Sequence, residues 1–158
     1  MVEYVQVIGS DRLRRKTKNQ TETTVKVINK AYSSKTAIKL SLYIGRPTKW
    51  GNPFPLRKES RRQLVCDQYE ALMATRLIKG EITDEDFKEF DGKNLLCFCA
   101  PKRCHGDTLI MLYYLTHIER MNWARVLLHS LRSRLEQAES GIKEHFGNIL
   151  SRVDLNSC

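Results

Sequence analysis

Long apolar runs are absent from this sequence of 158 residues, and none is long enough to cross a bilayer. The N-terminus also lacks the charge order of a secretory signal, because its basic residues follow the short apolar stretch instead of preceding it. These two absences argue against a membrane protein and predict a cytoplasmic protein with no membrane partner. The length suits one compact domain with an appendage.

Disulfide bonds are also not expected, because the chain has only five cysteines, which is an odd number. In a reducing cytosol they should remain thiols. Cys97 and Cys99 lie two residues apart on a predicted strand, so their side chains point to the same side. Two thiols placed in this way can share a ligand, whereas a bridge between them would be strained.

Acidic residues are scarce in the first quarter of the chain, where nine lysines and arginines stand against three aspartates and glutamates in residues 1–40. The formal net charge is +9, and most of the excess lies there. Its densest part is a basic arm at about residues 10–20, which carries Arg12, Arg14, Arg15, Lys16 and Lys18. Such a concentration favours a polyanionic partner, and we expect the arm to bind DNA. The structural alternative is a solvated loop that keeps the protein soluble.

The hydrophobic pattern predicts alternating strands and helices. Two short strands, at residues 2–9 and 23–30, would form a hairpin with the basic arm at its tip. From residue 37 to 118 the order is strand, loop, helix, strand, loop, helix, which is typical of a parallel α/β core. The elements predicted there are a strand at Ala37–Gly45, a helix from Ser60 to Gly80, a short helix capped by Thr83, a strand at about 94–100 and a helix capped by Asp107.

The predicted fold class is therefore α/β: a small three-layer type of parallel or mixed sheet with helices, an N-terminal β-hairpin arm and a C-terminal helical extension. Residues 1–121 would form a single α/β domain. Residues 122–158 would form an amphipathic helical extension, because apolar residues recur there at helical spacing. This extension is either a helical cap on the core or a segment that forms a homodimer, and the sequence leaves both open.

Two unusual loops follow predicted strands. "RPTKWGNPFP" holds three of the four prolines of the chain and cannot be a helix or a central strand. "APKRCHG" precedes the last helix of the core. Because ligands of parallel α/β folds bind beyond the carboxyl ends of the strands, both loops should lie on the same rim and form a joint site.

The two loops together resemble a known family. "YIGRPTKWGNPF" and "GKNLLCFCAPKRCHGDTL", from Tyr43 to Phe54 and from Gly92 to Leu109, are similar to a phage and bacterial family called domain of unknown function 4326. The resemblance covers about residues 41–116, and one difference is Phe98, where the family usually has Trp. It implies a small α/β domain in a phage or bacterial setting, which is the host cytoplasm for a phage protein, and it implies no particular reaction.

The second loop carries candidate catalytic groups. Cys104 and His105 lie just before a predicted helix, whose dipole lowers a thiol pKa and favours anions. His105 would transfer a proton near neutral pH, and Asp107 would orient it, although capping the helix is the competing role. Lys102 and Arg103 would bind phosphate.

The first loop adds groups that suit a nucleotide. Arg46 would make a bidentate contact with phosphate, and Trp50 would stack on a base. Asn52 would hydrogen-bond a base or a sugar, and a desolvated Lys49 would be a nucleophile that forms a Schiff base. The structural alternatives are that Trp50 packs in the core and that Asn52 fixes a turn.

Zinc is the alternative reading of the cysteine cluster. Cys97, Cys99, Cys104 and His105 offer four ligands of the types that tetrahedral zinc prefers. The spacing argues against it, because two adjacent residues, Cys104 and His105, would have to bind the same ion. We therefore expect no cofactor, with zinc as the alternative.

These observations predict an enzyme that acts on nucleic acid and cleaves or nicks DNA, either at a phosphodiester or at the sugar of a damaged or abasic nucleotide. One alternative is an enzyme on free nucleotides or nucleosides, such as a hydrolase of the glycosidic bond. Another is a protein without enzymatic activity that binds a host protein through its C-terminal extension.

Overall fold

A computed structural model of the protein describes residues 24–137, and within that range it contains a sheet of three parallel strands. The strands are β1 (Val27–Asn29), β2 (Ser41–Tyr43) and β3 (Asn94–Cys97). The helices are α1 (Lys35–Lys39), α2 (Arg62–Ile78), α3 (Asp84–Phe87), α4 (His105–Tyr114) and α5 (His117–Gln137), with single 3₁₀ turns at Glu59–Arg61 and Lys88–Phe90. The predicted α/β class is confirmed.

Strand β3 is the centre of the sheet and pairs in parallel with both other strands. Leu95 faces Val27 of β1 on one side and Leu42 of β2 on the other. Residues Leu95 to Cys97 are buried, as expected of a short, continuously apolar strand covered on both faces. Since all three strands run the same way, the chain leaves β2 and β3 at the same edge of the sheet.

The predicted strand at Ala37–Gly45 is wrong in its first half, which is the short helix α1. The hydroxyl of Ser34 accepts a hydrogen bond of 3.1 Å from the backbone N–H of Ala37 and caps this helix. An N-cap gives one of the unpaired N–H groups at a helix start a hydrogen-bond partner. This local bond favours a helix over a strand at these residues. Only Ser41–Tyr43 remain as strand.

The longest helix, α5, begins at His117 and packs along α2. Its Ala124 and Leu128 are fully buried in the core cluster. The helix therefore passes the expected boundary between residues 121 and 122 without a break, and its described part covers the core. No helix in residues 24–137 is long and apolar enough to cross a membrane.

Some predictions fall outside the described residues. These are the strand at 2–9, the basic arm at about 10–20 with its five cations Arg12, Arg14, Arg15, Lys16 and Lys18, and the end of the C-terminal extension after residue 137.

Helix α4 begins two residues before the predicted cap. Cys104, not Asp107, is the N-cap, and its sulfur accepts the backbone N–H of Gly106 at 3.4 Å. Asp107 completes a capping box, because its carboxylate accepts the backbone N–H of Cys104 at 2.8 Å. Asp107 therefore holds the helix start and is not the group that orients His105.

Gly106 lets the start of α4 approach the sheet closely. A β-carbon on this residue would lie 2.6 Å from a methyl group of Val27 and 2.9 Å from the terminal methyl of Ile44. Distances this short are not found between carbon atoms, so any larger residue would push α4 away from β1 and β2.

Replacing Gly106 with alanine should destabilise the protein, although alanine is the better helix former in a helix interior. The expected loss in the free energy of unfolding is about 1–3 kcal/mol, as for overpacked cores. Urea denaturation measures this loss. Val27→Ala removes the closest clash, so the double variant should lose less than the sum of the two single variants. A strictly additive result would show that the contact with Val27 does not limit the approach.

Candidate functional site

A cleft of about 330 Å³ opens at the edge of the sheet where β2 and β3 end. It is lined by Gly45, Arg46 and Asn52 from the loop after β2, and by Phe98 and Cys99 from the loop after β3. The two loops therefore line one cleft, as the shared edge of parallel strands predicts. Helix α2 contributes a third wall, which the sequence did not predict, with Arg62, Val65 and Cys66.

Three thiols lie together in this cleft. The sulfurs of Cys97, Cys99 and Cys104 are all within 4.8 Å of one another, and those of Cys97 and Cys104 are 3.3 Å apart. Cys97 and Cys104 are buried, whereas Cys99 is partly exposed. These three cysteines could hold a metal ion.

His105 is buried beside the thiols. Its Nε2 lies 2.8 Å from the carbonyl oxygen of Ile44, which can only accept, so Nε2 carries the proton. Nδ1 then presents its lone pair to the sulfurs of Cys104 at 3.5 Å and Cys97 at 4.0 Å. Burial lowers the pKa of His105, and the contact with Ile44 only partly opposes this shift. The ring is therefore a neutral imidazole whose accepting nitrogen faces sulfur.

The thiols do not titrate alike. Hydrogen bonds from Cys104 and Cys97, together with the Arg62 guanidinium, lower the pKa of Cys99 far below that of a free thiol. The hydrogen bonds from Cys104 to its two neighbours and its burial raise the pKa of Cys104. These opposite shifts make Cys99, beside the Arg62 guanidinium, the most acidic thiol of the cluster.

Two of the three arginines that line the cleft are held by carboxylates. Arg62 pairs with Glu59 at 2.6 Å. Arg103 contacts Asp67 at 3.0 Å and Glu70 at 2.8 Å, so this predicted phosphate ligand is tied to α2. The other predicted phosphate ligand of that loop, Lys102, is exposed, does not line the cleft and lies 3.4 Å from Glu59.

Arg46 differs from Arg62 and Arg103 because no described carboxylate holds it. It lines the cleft and is exposed, and within residues 24–137 its side chain has no hydrogen bond, ion pair or ring contact. It is the cleft arginine whose charge no described carboxylate offsets.

Lys49 and Trp50 do not line the cleft. Trp50 is only 1% exposed, packs against Phe87 and Phe90 and donates its indole N–H to Glu89 at 3.0 Å. Lys49 lies on the same side, 2.6 Å from carboxylates of both Asp86 and Glu89. Trp50 is therefore a core residue, and no base can stack on it.

The charge of Lys49 is fixed by its partners. Partial burial lowers the pKa of its ammonium, but the hydrogen bonds that it donates to Asp86 and Glu89 outweigh this effect and raise the pKa. A nucleophilic lysine needs the opposite shift. The structure therefore places Lys49 in an ion-pair network and not in a site for Schiff-base chemistry.

Asn52 does line the cleft, but its hydrogen bonds are internal. Its side-chain oxygen accepts the backbone N–H of Phe54 at 2.9 Å, and its amide donates to the carbonyl of Val65 at 3.3 Å. It fixes the turn, which is the structural role that the sequence left open.

An aromatic rim, made of Tyr43 and Phe98, was missed by sequence reasoning. Both rings line the cleft, and Phe98 is 58% exposed. The ammonium of Lys30 lies 4.5 Å from the ring centre of Tyr43 and 5.5 Å from that of Phe98. The available signal was the position of Phe98 between two inward-facing cysteines, which turns its ring away from them.

Removing the Lys49 network should change stability in acid. The Lys49 ammonium and the Thr83 backbone N–H lower the pKa of Asp86 from 3.8 to about 2. A lowered carboxyl pKa stabilises the folded state above the ordinary value, and this contribution is lost as the pH falls from about 4 to 2. Lys49→Met should reduce the free energy of unfolding near neutral pH by up to about 1 kcal/mol, as for a partly exposed pair. In this variant the free energy of unfolding should also fall less between pH 4 and pH 2 than in the wild type.

Urea unfolding at several pH values measures both effects. Lys88→Met is the matched control, because among residues 24–137 the ion pair of Lys88 is with the highly exposed Glu85, and its removal should have little effect. Identical pH profiles for wild type and Lys49→Met would show that the network contributes nothing.

Comparison with known proteins places the fold and cleft in a family. The model of the family described as Domain of unknown function (DUF4326) matches residues 14–114. An uncharacterized 12.4 kDa protein from the nrdA-td intergenic region of enterobacteria phage T4 is 31% identical over 84 residues, which cover 53% of this chain and 72% of that protein. An uncharacterized protein of Acanthamoeba polyphaga mimivirus is 28% identical over 115 residues, which cover 61% of this chain and 81% of that protein.

No solved structure matches the chain significantly. Both relatives are viral, in line with the phage setting that the resemblance implied, and neither name states an activity. The family match includes both cleft loops, α2 and the whole of α4, and it spans more than half of the sequence. The chain therefore belongs to the DUF4326 family.

Proposed function

We propose that the protein binds nucleic acid and holds one nucleotide unit in the cleft between the loops after β2 and β3. The observation that carries this proposal is Arg46, an exposed arginine on the cleft wall that has no partner within the described residues. A planar guanidinium presents two parallel donors, which suit the oxygens of a phosphate. A cavity of about 330 Å³ lies within the range of pockets that hold small ligands.

Among the arginines of the cleft, Arg46 is the one whose charge is available for a phosphate. Arg62 and Arg103 are neutralised by carboxylates of their own surroundings. No aspartate or glutamate of residues 24–137 lines the cleft, so no carboxylate there would repel an anion at Arg46.

The aromatic rim supplies a surface for a base. Phe98 is exposed at the cleft and offers a face on which any base can stack. The ammonium of Lys30 lies over the rings of Phe98 and Tyr43, where it can contact an adjacent phosphate. A guanidinium, an ammonium and an exposed ring around one cavity form the usual combination for a single nucleotide unit.

DNA is the polymer that we propose. The sequence concentrates positive charge in the first quarter of the chain, and a strand whose nucleotide occupies the cleft has phosphates on both sides that further cations can contact. An enzyme or binding protein for free nucleotides would need only the cleft, so the length dependence of binding separates this alternative.

Cleavage of DNA stays a prediction. The group expected to transfer the proton, His105, is buried and donates its only N–H to Ile44. The expected lysine nucleophile is ion-paired away from the cleft. Without a carboxylate pair in the described cleft, the usual acid–base arrangement of glycosidic-bond hydrolases is not favoured either. We therefore base the proposal on binding, and a plasmid-nicking assay tests the reaction.

Zinc is the cofactor that this proposal includes. Thiolates are soft ligands, and a set of cysteines selects zinc over magnesium or calcium. Held by Cys97, Cys99 and Cys104 as thiolates, the ion would offset two of their three negative charges.

Arg46→Ala should weaken the binding of a fluorescent oligodeoxynucleotide about tenfold, the expected loss of a charge-assisted hydrogen bond. It should also lower the slope of log affinity against log salt by about one, because one phosphate contact is lost. Fluorescence anisotropy at several salt concentrations measures both.

Lys49→Ala is the matched control, because it removes the same charge from the same loop but outside the cleft. It should bind like wild type. Equal losses in both variants would reduce the effect to net charge and remove the cleft from the proposal. Binding of a mononucleotide as tight as that of the oligonucleotide would favour the free-nucleotide alternative. If the wild type nicks a plasmid and His105→Ala does not, the result would support DNA cleavage with His105 as a participating residue.

A further inference from the structure

We infer that Cys97, Cys99, Cys104 and the Nδ1 atom of His105 bind one zinc ion as a closed, four-ligand structural site. It adds to the zinc ion named in the proposed function the four atoms that bind it, its coordination number and its effect on the cleft. It does not rest on nucleic-acid binding, because its tests use the metal alone.

The distances among Cys97, Cys104 and His105 are close to those of a tetrahedral site, whereas the sulfur of Cys99 has to move toward His105 to complete it. With Zn–S bonds of about 2.3 Å and a Zn–N bond of about 2.0–2.1 Å, two sulfurs are about 3.8 Å apart and a sulfur and a nitrogen about 3.6 Å apart. The observed distances are 3.3 Å between Cys97 and Cys104, 3.5 Å between Cys104 and His105, and 4.0 Å between Cys97 and His105. The third sulfur, of Cys99, lies within 4.8 Å of the other two.

The backbone explains how two adjacent residues face the same point. Cys104 is the extended N-cap, with φ −138° and ψ 153°, and His105 is the first residue of α4. The sulfur of Cys104 and Nδ1 of His105 lie 3.5 Å apart across this change from an extended to a helical residue. The adjacency of the two residues therefore does not keep their ligand atoms apart.

The second ring nitrogen of His105 has the partner that zinc-binding histidines usually have. Such histidines donate their other N–H to a carbonyl or carboxylate, which fixes the tautomer and the ring orientation. Here Nε2 donates to the Ile44 carbonyl at 2.8 Å, and the ring is further held by the edge of Tyr69, with ring centres 5.1 Å apart. The accepting nitrogen thus faces the sulfurs before any ion binds.

The site would connect the elements that build the cleft. Cys97 ends β3, Cys99 lies in the following loop, and Cys104 and His105 begin α4. Through the Ile44 carbonyl the same histidine holds the residue just before Gly45 and Arg46. Zinc would therefore fix both loops, and its removal should loosen the wall that carries Arg46.

Elemental analysis of the purified wild-type protein should give one zinc per chain. Cobalt(II) added to the metal-free protein should produce the absorption bands of a tetrahedral site with thiolate ligands. His105→Ala should weaken zinc binding in a chelator competition by about 10–100-fold, and His105→Cys, which keeps four ligands, should restore most of it. Each of Cys97→Ser, Cys99→Ser and Cys104→Ser should weaken it at least tenfold.

Cys66→Ser is the matched control, because Cys66 is a buried thiol that lines the same cleft but lies outside the cluster. It should bind zinc like wild type. Several results would overturn the inference: no zinc in the wild type, iron in its place, an equal loss in Cys66→Ser, or full affinity in His105→Ala. A bond between Cys97 and Cys104 in freshly purified protein, detected by thiol titration, would overturn it as well. If the wild-type protein contains zinc but does not bind the oligonucleotide, that result contradicts only the proposed function and not the zinc site.

Discussion

The hydrogen bond from His105 to the Ile44 carbonyl is the interaction on which the cleft depends, since it joins the start of α4 to the end of β2. Its donor begins α4 and its acceptor follows β2, so it sets the separation of the two loops. Both groups are buried, and breaking the bond would leave a polar atom without a partner or water. The same bond determines which nitrogen faces the thiols. One contact therefore links the sheet, the cysteine cluster and the wall that carries Arg46.

The part of the fold that depends on the order of elements could be predicted from the sequence. Alternating apolar runs and loops indicated a parallel α/β core, and the shared edge of parallel strands placed the two loops around one cavity. Local details were harder, because competing caps have similar energies. Ser34 caps a short helix where the sequence predicted the first half of a strand. Asp107 is of a residue type that often forms an N-cap, but it is the third residue of the helix that Cys104 caps. A single sequence shows which residues can cap, but not which of them does.

The candidate site could be predicted less well, because the partners of its residues come from distant parts of the chain. Lys49 and Trp50 were assigned to chemistry from their own loop, but the carboxylates that engage them lie almost forty residues later. Arg103 is likewise held by α2. Arg46, by contrast, was identified from the sequence as a cleft residue. Spacing alone also argued against a shared role for Cys104 and His105, and only the turn of the backbone between them shows why both face the same point.

The central position of β3 has a consequence for how the chain acquires its structure during synthesis. Each outer strand has its only described sheet partner in β3, and the paired residues are 68 positions apart for Val27 and Leu95 and 53 for Ser41 and Asn94. Closing such long segments is slow compared with forming a local hairpin. A nascent chain that ends before residue 94 cannot form this sheet at all. The edge strands must wait for β3, and because Cys97 is its last residue and Cys99 and Cys104 follow it, the whole sulfur cluster is synthesised only after the last strand.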